Sequence, residues 1–204
     1  MKPGNIESPE TTHFSIVDGD GNAVSNTYTL NMPFGSGVVI EGAGFLMNDE
    51  MDDFSTKPGV ANVFGVVGGT VNAIAPEKRM LSSMSPTIVL KDNEIEMVVG
   101  TPGGSTIITS VFQTIVNVVE EGMNAQQAVD APRVHHQLLP KDQIAYNPEL
   151  PGLVKEELEV MGYKLKKNNY MGDVQLILKT KSGWQAASDK RGEGVSKVFD
   201  VKDE

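Results

Sequence analysis

Thr11-Thr12-His13-Phe14-Ser15-Ile16-Val17-Asp18 alternates apolar and polar side chains as a half-buried strand does. Gly19-Asp20-Gly21-Asn22 follows with turn chemistry, and Asn26-Thr27-Tyr28-Thr29-Leu30-Asn31 is a second strand-like run. Residues 11–31 therefore predict a β-hairpin. It sets one hydroxyl residue, Thr11, at the start of a strand and another, Thr29, on the facing arm.

A threonine hydroxyl is a weak nucleophile unless a base lies beside it. A free α-amine on the same residue, with a pKa of about 7.7–8.0, is such a base near neutral pH. Cleavage of the Glu10–Thr11 bond would create nucleophile and base together, with Thr29 placed to orient the hydroxyl. The plain alternative is that Thr-Thr opens an ordinary strand, for which threonine has a preference.

Working outward, residues 1–10 are polar, contain Pro3, Gly4 and Pro9, and read as a flexible arm. Residues 32–75 hold too much glycine for regular elements and read as long loops, which in compact domains are often functional. Residues 86–100 predict a second hairpin turning at Lys91-Asp92-Asn93. Pro102-Gly103-Gly104-Ser105 then leads into Ile107–Glu121, where apolar residues at helical spacing predict a largely buried helix ended by Gly122. A short helix over 125–131, an amphipathic helix over 150–161 and strands near 173–180 and 184–188 complete the pattern. Strands and helices in blocks favour a layered α+β sandwich over alternating βαβ units.

Other residues carry possible chemistry. The backbone N–H groups of Gly103-Gly104, at a strand-to-helix junction, suit an oxyanion, although a tight turn needing positive φ also explains them. Ser82-Ser83 offer hydroxyl donors for a carboxylate, or simply make a turn. Asn48-Asp49-Glu50-Met51-Asp52-Asp53-Phe54 is a seat for an ammonium group, a divalent-cation site though without the EF-hand spacing, or a solvated acidic loop. His13 reads as structural, His135-His136 as interface or core residues, and the methionines as core filler. The histidines show no metal-binding spacing with carboxylates, so no metal and no cofactor is expected.

Composition narrows the class. The 204 residues suffice for one domain with a core, or half of a larger one. With 39% hydrophobic and 22% charged residues the balance is globular rather than disordered. A net charge of −10 argues against sequence-independent nucleic-acid binding and against docking on anionic membranes. The absence of cysteine removes disulfides, thiolate zinc sites and a cysteine nucleophile. No run of about 18 apolar residues and no signal-peptide pattern is visible.

Taken together, these segments resemble the small subunit of the γ-glutamyltranspeptidase (glutathione hydrolase) family. The likeness rests on Thr11-Thr12-His13-Phe14-Ser15, Asp20-Gly21-Asn22-Ala23-Val24, Tyr28-Thr29-Leu30-Asn31, Met51-Asp52-Asp53-Phe54-Ser55 and Lys57-Pro58-Gly59. It continues through Leu81-Ser82-Ser83-Met84-Ser85-Pro86-Thr87, Pro102-Gly103-Gly104-Ser105, Ala131-Pro132-Arg133, His135-His136-Gln137 and Ala187-Ser188-Asp189.

The resemblance implies an N-terminal-nucleophile hydrolase fold, a four-layer αββα sandwich, with residues 11–204 as the catalytic small subunit and residues 1–10 as the arm before an autocleavage site at Glu10–Thr11. It implies that Thr11 attacks the γ-glutamyl amide of glutathione or a similar donor, and that water, an amino acid or a dipeptide accepts the γ-glutamyl group. Thr29 would assist Thr11, and Gly103 and Gly104 would form the oxyanion hole. Asn31, Glu50 and Asp53 would hold the α-amino end, and Ser82 and Ser83 the α-carboxylate. The implied partner is a large subunit from the same precursor, and the implied location periplasmic or secreted. With its Thr11 amine still in a peptide bond, the chain alone is expected to be inactive. Relatives of the same fold acting on poly-γ-glutamate or cephalosporins, or a non-catalytic assembly module, are the alternatives.

Overall fold

Met97, Val98 and Val99 are consecutive and all fully buried, which a strand achieves only when both faces of its sheet are covered. The structure, a computed structural model, describes residues 11–199; residues 1–10, including the expected arm and Glu10, lie outside the described residues. In chain order, β1 (Thr12–Val17) and β2 (Ala23–Tyr28) make an antiparallel hairpin, and β3 (Thr87–Lys91) and β4 (Glu94–Gly100) a second one. The turn of the second hairpin places Asp92 and Asn93 at φ 52° and 66°, the left-handed pair of a type I′ turn. Helices α1 (Ile107–Val119) and α2 (Ala125–Asp130) follow, the latter started by a reciprocal capping box between Asn124 and Gln127. Then come β5 (Arg133–His135), β6 (Gln143–Asn147), α3 (Gly152–Val160), β7 (Lys164–Lys167), β8 (Gln175–Thr180) and β9 (Gly183–Ser188).

The central sheet is antiparallel throughout, in the order β3-β4-β8-β9. Met97, Val99, Leu176, Leu178 and Ala187 pack with Val111 of α1 and Ala125, Ala128 and Val129 of α2 on one face. The first hairpin lies over β4 and β8 on the other, so three layers stack: hairpin, sheet and helices. These are two β layers and one α layer of the expected sandwich.

The hairpin is locked to the sheet by a close approach. The His13 ring lies on Gly100, where a Cβ would come within 2.2 Å of His13 Cε1. His13 Nδ1 shares a 2.6 Å hydrogen bond with Thr27 Oγ1 and Nε2 a 3.0 Å one with Ser15 Oγ. Burial pushes the His13 pKa down to about 4, so the ring is neutral near pH 7 and structural, as expected. Ser25 Oγ adds a 3.1 Å hydrogen bond to the Val99 carbonyl.

A second tie is ionic. Arg133 and Asp189 pair at 2.5 Å with both side chains buried. Arg133 also donates to the Met171 and Val129 carbonyls, and Arg191 Nε to Asp189 Oδ1 at 2.7 Å. The pair joins α2, β5, the approach to β8 and the end of β9.

Three expectations need correction. Helix α1 is not largely buried: Ile108 and Phe112 are 62% and 64% exposed. Its apolar positions wrap more of the helix than the sheet covers. The methionines are only partly core, since Met97 and Met171 are buried but Met47, Met51 and Met161 are exposed. A third sheet, β5-β6-β7, was not anticipated, because β5 is three residues long and β7 is mostly lysine. By contrast residues 32–75 hold only short 3-10 turns, Glu50–Asp53 and Thr70–Asn72, and isolated bridges, as their glycine content predicts.

Replacing Gly100 with alanine is expected to cost about 1–3 kcal/mol through the clash with His13, measured by urea unfolding. Asp189→Ala leaves Arg133 buried without its counter-ion and is expected to cost about 3–5 kcal/mol in the same assay.

Candidate active site

The ladder pairs Thr12 with Tyr28, so the next step outward sets Thr11 across from Thr29. Thr11 is buried, and its Oγ1 donates to Thr29 Oγ1 at 3.0 Å. The Asn31 backbone N–H also donates to Thr29 Oγ1, at 2.9 Å. That contact requires the chain to fold back after the strand, and Asn31 does so at φ 76°, a region asparagine tolerates better than most residues. Asp49 holds the bend by accepting from the Met32 N–H at 3.0 Å, while the Asn31 side chain donates to the Asp49 carbonyl at 3.3 Å.

Thr11, Thr29, Asn31, Asp53, Ser83 and Gly104 line one cavity of about 70 Å³, whose remaining wall is largely apolar, including Phe54, Phe64 and Leu81. Six of the nine expected functional positions in the described residues thus meet at a single space. Gly103 and Gly104 start a 3-10 turn running into α1. Both have positive φ, 143° and 54°, so the turn requirement is real. A Cβ on Gly103 would crowd Thr106 Oγ1 at 2.8 Å and Gly172 Cα at 3.1 Å. Gly104 reaches the cavity and Gly103 braces it from behind.

The acidic side is built from three loops. Ser83 Oγ donates to both carboxylate oxygens of Asp53 at 3.2 Å. Asn72, which sequence reading missed, donates to the Asp53 carbonyl at 2.7 Å and accepts from the Leu81 N–H at 3.1 Å. It joins the Asp53 and Ser83 segments, and no local pattern marks such a residue because its partners are distant in the chain. Glu50 lies outside the cavity lining, beside Asp53, with its Oε1 buried and unpartnered. Burial, then the Asp53 charge, pushes the Glu50 pKa up to about 7. Burial also raises that of Asp53, against the hydrogen bonds from Ser83. The two neighbouring carboxyls thus concentrate partly neutralised negative charge beside the cavity, suited to an ammonium group.

Ser82 departs from expectation. It is exposed, and its Oγ accepts the Met84 N–H at 3.2 Å rather than facing the cavity. Of these two neighbouring hydroxyls only Ser83 points inward. Among the described residues no group of three or more His, Asp or Glu side chains is placed to hold a metal ion. No helix among them is long and apolar enough to cross a membrane.

Because Glu50 is raised from 4.5 to about 7, the stability it contributes is complete below pH 4.5 and lost as pH rises through 7. Glu50→Gln is expected to melt like the wild type at pH 5 and at higher temperature at pH 8. Parallel melting curves across that range would contradict the raised Glu50 pKa.

The family described as Gamma-glutamyltranspeptidase has a model that matches residues 2–199. The glutathione hydrolase proenzyme of Pseudomonas aeruginosa is 60% identical over 201 residues, covering 97% of this chain and 36% of that protein. The corresponding Escherichia coli proenzyme is 50% identical over 195 residues, covering 94% of this chain and 33% of that protein. The chain thus spans about a third of the length of these relatives. Among solved structures, the Pseudomonas nitroreducens γ-glutamyltranspeptidase complexed with L-DON superposes with a TM-score of 0.87 at 61% identity, covering 93% of this chain and all of that one. The layers described above are accordingly those of an N-terminal-nucleophile hydrolase.

Proposed function

The chain belongs to the gamma-glutamyltranspeptidase family, and from that premise we propose that it is the threonine-bearing part of an enzyme that hydrolyses and transfers γ-glutamyl groups. The observation that carries this reading is the 3.0 Å contact of Thr11 and Thr29 hydroxyls at a cavity also lined by Asp53, Ser83 and Gly104. Nucleophile, orienting group, ammonium and carboxylate seats and an oxyanion donor then surround one substrate-sized end group.

In this reading the precursor first cuts itself. Thr11 Oγ1 attacks the Glu10 carbonyl carbon, the amide becomes an ester, and water hydrolyses it to leave a free Thr11 amine. Glu10 and residues 1–10 lie outside the described residues, so the arm and the cut are part of the proposal. In turnover the amine takes the Thr11 hydroxyl proton as the oxygen attacks the γ-carbonyl of the donor. The backbone N–H of Gly104, held by the Gly103 turn, stabilises the oxyanion. The leaving amine takes the proton, and a γ-glutamyl ester on Thr11 remains. Water releases glutamate from it, or an amino acid or dipeptide accepts the group.

Asn31, Asp53 and, through Asp53, Glu50 receive the α-ammonium, and Ser83 the α-carboxylate, with Ser82 outside the pocket in this structure. No cofactor is needed. A large subunit from the same precursor completes the site, and the enzyme works in the periplasm or outside the cell. Glutathione is the donor this reading favours.

The test is release of chromophore from a γ-glutamyl anilide by the full precursor. Wild type is expected to cleave itself before Thr11 and turn over, whereas Thr11→Ala stays uncut and loses activity by at least about a thousandfold. Wild-type inactivity, or a Thr11→Ala protein that still turns over, overturns the proposal. Parallel rates on poly-γ-glutamate and a glutaryl amide assign the donor.

A further inference from the structure

Ser55 is a buried hydroxyl with no partner in the fold. It is 8% exposed, and its Oγ makes no hydrogen bond. It lines the same cavity as Thr11, Thr29, Asp53 and Ser83. Its backbone is held firmly, because the Ser55 N–H donates to the Asn72 carbonyl at 2.9 Å and Ser55 bridges to Ala73. Phe54 between Asp53 and Ser55 is extended, at φ −71° and ψ 154°, and all three residues line the cavity.

Gly68 makes room for this hydroxyl. A Cβ there would lie 2.0 Å from Ser55 Oγ. Gly68 has no positive φ, so backbone conformation does not call for glycine, whereas contact with the hydroxyl does. The fold therefore houses, with a dedicated glycine, a buried polar group that it leaves unsatisfied. Such a group destabilises a fold unless something else bonds to it.

We propose that Ser55 is a further substrate-binding residue, whose hydroxyl bonds the zwitterionic α-amino-acid end of the ligand beside Asp53. This rests on the γ-glutamyl reading above and adds a contact to it. Ligand binding satisfies the hydroxyl, so the favourable term appears only in the complex. A hydrogen bond to a charged group that is made only on binding separates Ser55 from a residue that merely packs.

The experiment compares processed full-length wild type with Ser55→Ala in two measurements: steady-state rates on a γ-glutamyl anilide, and thermal melts with and without saturating L-glutamate. Alanine leaves Gly68 unobstructed, so the variant is expected to melt at the wild-type temperature or above it when no ligand is present. KM is expected to rise about ten- to a hundredfold with kcat nearly unchanged, and the glutamate-induced rise in melting temperature to shrink. An unchanged KM and glutamate shift overturns the proposal, as does a lower unliganded melting temperature with kcat and KM both impaired, which marks a structural role. A wild type without anilide turnover overturns the γ-glutamyl reading instead, while the glutamate melts still decide Ser55.

Discussion

The site depends on the register of the first hairpin. Side chains alternate across a strand, so slipping β1 against β2 by one residue would turn every side chain to the opposite face. In the observed register, Thr12 opposite Tyr28, His13 faces the sheet and rests on Gly100, while Thr11 emerges beyond the ladder against Thr29. The same placement of His13 fixes the hairpin over the strand that runs out into Thr101, Pro102 and Gly103. One packing choice thus sets both the candidate nucleophile and the distance to the candidate oxyanion turn.

The oxyanion turn is braced from the other direction. Gly172 packs on Gly103, and Thr101 Oγ1 accepts the Asp173 N–H at 2.8 Å. The carbonyl of Met171, just before, receives Arg133 and Ser110. The buried Arg133–Asp189 pair therefore reaches the turn through the 171–173 segment. A buried ion pair is weak evidence for stability but is well suited to fixing geometry when every donor is satisfied. Here the guanidinium of Arg133 spans two carbonyls and a carboxylate.

The acidic side works by a different principle. Asp53 and Glu50 are close enough, and buried enough, that both cannot ionise freely. Asp53 is held by Ser83 and its backbone by Asn72, so the charge is fixed in place before a ligand arrives. Fixed dipoles and charges that need no rearrangement are the efficient way to hold a zwitterion. The unsatisfied Ser55 hydroxyl belongs to the same pattern, in which part of the fold's polar capacity is left for a ligand.

Local chemistry alone made both hairpins legible, because period-two alternation and turn residues are short-range signals. It also located α1, its glycine stop and the glycine-rich loops. The motifs shared with a family pointed to Thr11, Thr29, Asn31, Asp53, Ser83 and Gly104. What it did not reveal were relations between segments with no common local pattern. Asn72 joins Asp53 to Leu81, Gly68 faces Ser55, and Gly100 receives His13. Each glycine there serves a side chain far away in the chain, so its neighbours in sequence carry no trace of the reason. Ser82 and Ser83 look alike in sequence, and only the path of the folded loop turns one hydroxyl to the cavity and the other to solvent. The exposed face of α1 has the same origin: periodicity records which residues are apolar, but the width of the sheet beneath decides which are covered. Sequence therefore determined the elements and the chemical groups available, through interactions between residues close along the chain. Tertiary structure decided which of those groups meet, because burial, coupled charges and close approaches exist only between surfaces that folding brings together.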